Sequence, residues 1–129
     1  MRDEIAESIQ FSHPVEQAFA QILDFYGTPW EYEPKTFPLE WDETGNVTTA
    51  FSPDFYLPGE DMYIEITTLR PKLNRIKNKK MRLMAEHYPD VRIKLFKRSD
   101  VRNLMIKFGL YREAERIFGT DAQPKAYGQ

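Results

Sequence analysis

Residues 52–67 read SPDFYLPGEDMYIEIT, and two strands with a reversal between them are visible in the letters. Leu57, Pro58, Gly59, Glu60 and Asp61 have the composition of a tight turn. After the turn, residues 62–69 alternate, with Tyr63, Glu65 and Thr67 on one face and Met62, Ile64, Ile66 and Thr68 on the other, which is the period of a strand. Before it, residues 47–56 are rich in Thr, Val and Phe and read as a strand broken at Pro53, a residue that strands accept only at bulges or edges. Positions about five residues either side of the turn centre oppose each other in such a hairpin, so Asp54 and Glu65 are predicted to be near cross-strand neighbours. Two carboxylates thus meet at one spot. Pro53 interrupts the ladder just before Asp54, a device that re-aims side chains beside active sites. Like charges held together call for a cation between them, and a hard divalent ion with oxygen ligands, Mg²⁺ or Mn²⁺, answers that need.

Working outward from this hairpin, residues 30–38 alternate Trp30 and Tyr32 against Glu31 and Glu33, as a half-buried strand does. Asp42, Glu43, Thr44, Gly45 and Asn46 form a second turn. Upstream, His13 and Pro14 open a helix whose apolar positions Val15, Ala18, Phe19, Ile22 and Leu23 follow helical spacing, and Gly27 ends it. Downstream, Pro71 opens a second helix carrying Leu73, Ile76, Leu83, Met84 and His87 at helical spacing, until Tyr88, Pro89 and Asp90 stop it. Val91, Ile93 and Leu95 alternate in a fourth strand; a Ser99 or Asp100 cap starts a third helix up to Gly109, and residues 111–118 form a short fourth. Trp30, Trp41 and the tyrosines of the strands are assigned to the core. The tail, residues 119–129, is poor in apolar residues and is expected to be flexible. Strands joined by short turns make an antiparallel meander, and the helical crossover sets the fourth strand parallel to its partner. The expected fold is an α/β three-layer core in the order αβββαβα, a central mixed sheet with helices on both faces. One domain over 1–129, with its core at about 12–110, is the economical division.

The 129 residues include no Cys and two His, which excludes a disulfide framework, a thiolate metal site and a cysteine nucleophile. Any metal would be held by oxygens. No run approaches the roughly 20 apolar residues of a membrane span, and the start MRDEIAESIQ is acidic, so a cytoplasmic chain away from membranes is expected. The net charge of −2 conceals an asymmetry: residues 1–69 hold 2 basic and 14 acidic groups, whereas residues 70–103 hold 12 basic and 3 acidic. A basic block of this kind is the footprint of a nucleic-acid binder, although solvated helix faces are also Lys-rich. Glu16 stands at the border of the first helix's apolar stripe, where it either faces the sheet edge or serves as a first-turn acid favoured by the helix dipole.

On these residues the chain resembles the PD-(D/E)XK nuclease superfamily, which includes many restriction endonucleases and the Holliday-junction resolvases. The resemblance covers about residues 12–97, since the superfamily core is likewise a helix, three antiparallel strands, a helix and a fourth strand. Pro53 and Asp54 match the PD, Glu65 lies eleven residues later as the second acid, and Glu16 matches the acid many members carry on the first helix. The last letter departs: Thr67 stands in the place of the family's lysine, which orients or activates the attacking water, and a hydroxyl cannot offset charge as an ammonium does. In some members the lysine sits on the following helix. Here Lys77 and Lys80 lie at i+4 and i+7 from Leu73 and share its face, so either answers to that role.

The resemblance implies Mg²⁺ or Mn²⁺ held by Asp54, Glu65 and the Ile66 carbonyl, with Glu16 adding a direct or water-mediated contact. It also implies phosphate contacts from Arg70, Lys72, Arg75, Lys79 and Arg82, with DNA favoured over RNA. A homodimer or larger assembly is the implied working form. The alternatives are a nuclease-fold module that binds nucleic acid without cleaving it, and a protein-interaction domain in which acidic and basic halves dock.

Overall fold

The computed structural model describes residues 9, 11–67, 70–107, 109 and 111–118. The tail at 119–129 and the end of the third strand at 68–69 lie outside the described residues. The chain divides into two compact units, one made of residues 1–28 with 97–129 and the other of residues 29–96.

In the first unit, α1 (Pro14–Phe25) starts with Pro14 after an extended His13, and it buries Val15, Ala18, Phe19, Ile22 and Leu23 as its periodicity requires. It ends where Gly27 takes a φ of 68° and the Thr28 N–H donates to the Leu23 carbonyl at 2.9 Å, a left-handed cap that only glycine adopts without strain. α1 packs with α3 (Arg98–Lys107) and α4 (Tyr111–Phe118), which bury Val101, Met105 and Ala114. α3 begins before both residues expected to cap it. The Asp100 carboxylate lies in its first turn and accepts the Lys97 N–H at 2.9 Å, half of a capping box.

In the second unit the expected first and second strands each divide in two. The first becomes β1 (Glu31–Tyr32) and β2 (Phe37–Trp41), and the second becomes β3 (Val47–Phe51) and β4 (Phe55–Leu57). β1 and β4 join β5 (Met62–Ile66) and β6 (Ile93–Phe96) in a four-stranded sheet ordered β1-β4-β5-β6, whereas β2 and β3 form a separate two-stranded hairpin. The breaks come at Glu33 to Thr36 and at Ser52 to Asp54, where Pro34 and Pro53 remove ladder donors and Glu33 adopts a φ of 45°. β1, β4 and β5 are antiparallel, and β6 runs parallel to β5, as the crossover rule requires. The fold is thus mixed α/β with a mixed sheet and helices.

The crossover helix α2 (Pro71–His87) buries Met84 in a cluster with Phe37, Leu39 and Phe51, so both sheets share one core under this helix. Its other expected core positions do not all arrive: Leu73 is 38% and Ile76 44% exposed. Trp41 is 47% exposed at the end of β2, with its ring edge-on to an exposed His87. Neither belongs to that cluster, although Tyr88, the next residue, packs against it. Among the described residues no helix is long and apolar enough to cross a membrane.

Candidate functional site

β4 and β5 pair Phe55 with Ile64 and Tyr56 with Tyr63, so continuing that register sets Asp54 opposite Glu65. At this level side chains take over from the backbone ladder. The Asp54 N–H donates to Glu65 Oε1 at 3.1 Å, and the Ile66 N–H donates to Asp54 Oδ2 at 2.8 Å. The Glu33 N–H donates to the Asp54 carbonyl at 2.9 Å, which ties the β1 break to the same residue. Asp54 is 8% and Glu65 3% exposed, so two carboxylates are buried face to face.

Burial raises the Asp54 carboxyl to about 7, the neighbouring Glu65 charge adds to the rise, and the Ile66 N–H opposes it. Glu65 is also raised by burial, against the pull of Lys77. Near neutral pH the pair therefore retains a proton between two acids that in water would both be ionised.

A cation reaches this pair from α2. Lys77 Nζ lies 2.8 Å from Glu65 Oε2 and also donates to the Ile66 carbonyl. Of the two helix lysines expected to share this face, Lys77 is the one at the pair; Lys80 is half-buried and forms no ion pair with Asp54 or Glu65. Thr67 follows on β5, and its N–H donates to the Phe96 carbonyl at 2.8 Å, extending the parallel pairing by one residue. Glu16 is buried on α1 and belongs to the first unit, whereas the pair belongs to the second.

Arg70, Lys72, Arg75, Lys79 and Arg82 are all exposed. Lys72, Arg75, Lys79 and Arg82 fall at i, i+3, i+7 and i+10 and form one stripe, roughly half a turn around α2 from Lys77. The basic stripe therefore does not flank the carboxylates. Lys79 also makes an exposed ion pair with Glu40 at 3.6 Å, a contact of little energetic weight.

Among the described residues no group of three or more His, Cys, Asp or Glu side chains is placed to hold a metal ion. The oxygens that are gathered, from Asp54, Glu65 and the Ile66 carbonyl, are nonetheless hard donors of the kind Mg²⁺ and Mn²⁺ take. Glu65 and Ile66 already hold a positive charge, that of Lys77, so the donor set fits a cation.

Sequence reasoning placed the two acids together but missed what holds them, the exchange of carboxylate-to-amide bonds between Asp54 and residues 65 and 66. Pro53 was the available signal: an interrupted ladder leaves amides that nearby carboxylates can accept. No family model, curated protein or solved structure matches the chain.

Proposed function

We propose that this protein is a metal-dependent nuclease of PD-(D/E)XK type that hydrolyses phosphodiester bonds of DNA, with the restriction-endonuclease-like arrangement as its core. The observation that carries the reading is the meeting of Asp54, Glu65 and Lys77, because two buried carboxylates and one ammonium are the charges such hydrolysis needs. Mg²⁺ or Mn²⁺, when bound, supplies Lewis-acid polarisation of the phosphate and lowers the pKa of water.

The chain's own residues do the remainder. The Asp54 and Glu65 carboxylates and the Ile66 carbonyl present oxygens from one rigid hairpin, held by the Ile66 and Asp54 amides. Lys77 brings from the helix the positive charge that Thr67 does not supply from the strand, in reach of Glu65, where it can orient a water or offset phosphate charge. Arg70, Lys72, Arg75, Lys79 and Arg82 act in this reading at longer range, drawing a polyanion to the molecule by charge that salt screens.

The test is incubation of the protein, and of Glu65→Ala beside it, with plasmid, linear, branched and single-stranded DNA in Mg²⁺, Mn²⁺ and EDTA. Cleavage that is lost in EDTA and in the variant is the expected result. Binding without cleavage in every metal would replace the reading with a non-cleaving nucleic-acid module. Neither binding nor cleavage would point to docking with another protein.

A further inference from the structure

We propose that Lys77 is a built-in counter-cation, which a divalent metal displaces from Glu65 Oε2 and the Ile66 carbonyl, so that metal loading and release of the ammonium are one event. The inference rests on the metal reading above and adds to it how the site is held before the metal arrives.

Two carboxylates 3% and 8% exposed repel each other unless a positive charge lies against them. In the chain by itself that charge is Lys77, which takes the second oxygen of Glu65 and the carbonyl next to it. Glu65 Oε1 is engaged by the Asp54 N–H and Asp54 Oδ2 by the Ile66 N–H, so the oxygens facing Lys77 are the ones an incoming ion would take. An ammonium and a divalent ion on the same oxygens are like charges in van der Waals contact, and one must leave.

The geometry gives the lysine a way out. Its side chain is 20% exposed, its stem has four rotatable carbons, and the neighbouring turn of α2 at Leu73 and Ile76 is open to solvent. Leaving the oxygens, the ammonium stays tethered within a stem's length of the pair. A lysine arriving from a helix in this way differs from one fixed on the strand, because the helix side chain can withdraw without disturbing the hairpin that carries the acids.

The experiment is calorimetric titration of Mg²⁺ into the wild-type protein, Lys77→Met, Lys80→Met and Glu65→Gln. It is run at pH 8.5 throughout. Lys77→Met should bind Mg²⁺ about tenfold tighter or more, Lys80→Met should match wild type, and Glu65→Gln should lose binding. Equal or weaker binding by Lys77→Met, with Glu65→Gln still negative, overturns the inference and leaves the metal reading standing. No binding by any form overturns both.

A second measurement needs no variant: the rate at which acetic anhydride acylates Lys77 in the wild-type protein, read by peptide mass spectrometry with and without saturating Mg²⁺. Release predicts a rate that rises with the metal while that of Lys80 does not change. A rate for Lys77 that is unchanged or falls sinks the proposal.

Discussion

Two hairpins of the same unit each use an aspartate to hold backbone amides, and the two acids respond in opposite directions. At the tip of the β2–β3 hairpin, Asp42 Oδ1 accepts the Thr44 hydroxyl at 2.8 Å and the N–H groups of Thr44 and Asn46, each at 2.9 Å. Those bonds, the Thr44 hydroxyl foremost, lower its carboxyl below the ordinary value, because the acid is exposed and they outweigh its slight desolvation. At the base of the β4–β5 hairpin, Asp54 likewise accepts an amide, yet its carboxyl is pushed up to about 7. Burial and a second carboxylate outweigh one hydrogen bond. The first aspartate shapes a turn; the second is a buried acid whose charged form is disfavoured, and carboxyls shifted by burial and a charged neighbour concentrate where chemistry is done.

The sharpest way to break this contrast is at the chemistry. On the proposed function, Glu65→Gln and Asp54→Asn each lower Mg²⁺-dependent DNA cleavage by about a hundredfold or more, measured on the substrate that wild type cuts best. Asp42→Asn leaves cleavage as it is. If all three variants cut like wild type, the buried pair is structural.

Stability comes next. Glu65→Ala leaves the buried Asp54 N–H without its acceptor and the Lys77 ammonium with the Ile66 carbonyl alone, so urea denaturation should show a loss of about 2 kcal/mol. A variant as stable as wild type would mean that water reaches the pair freely.

The pH dependence separates the two aspartates by sign. Asp54 is raised from 3.8 to about 7, so the folded protein binds its proton more tightly than the unfolded chain does. Its contribution is fully present below about pH 4 and is lost as the pH rises through 7. Without metal, wild type should lose on the order of 3 kcal/mol between pH 5 and pH 8.5, and Asp54→Asn, which mimics the protonated acid, should flatten that slope. Asp42 is lowered, so its contribution is present above its ordinary value of 3.8 and is lost as the pH falls below it. Asp42→Asn should therefore lower the denaturation midpoint above about pH 4, by less than the Asp54 effect, and converge on wild type as the pH falls below that value. Identical pH profiles for the two variants would erase the distinction.

The smallest expected effect is that of Thr67→Lys. With Lys77 already on Glu65, a second ammonium on the strand should add little to cleavage, whereas a strong gain would show that Lys77 does not fill the role.

The legible part of this molecule was local. The turn at residues 57–61, the alternation of Met62 to Ile66 and the proline before Asp54 lie within one hairpin, and a hairpin's register follows from its turn, so the meeting of Asp54 and Glu65 could be read from the letters. The first helix was legible for the same reason, since its stripe repeats every three or four residues and Gly27 closes it. What could not be read depends on how elements lie on one another. The strands expected at 30–38 and 47–56 each divide between two sheets, because Pro34 and Pro53 break both at the same level, a coincidence that appears only once the two are side by side.

The exposure of Trp41, Leu73 and Ile76 is of the same kind: the composition marks them as apolar, but the core cluster under α2 gathers Met84 with Met81, Leu83 and Tyr88 and does not include them. Periodicity alone gave Lys77 and Lys80 the same helix face, and the rotation of α2 over the sheet is what brings Lys77 onto Glu65 and leaves Lys80 off it. By itself the sequence determined the first helix, the turn at residues 57–61, the strand that follows it and that two acids share a hairpin, because those follow from neighbours along the chain. Tertiary structure alone decided which lysine faces the acids and how far the pair is shielded from water, because charge and burial depend on what packs across a gap of many residues.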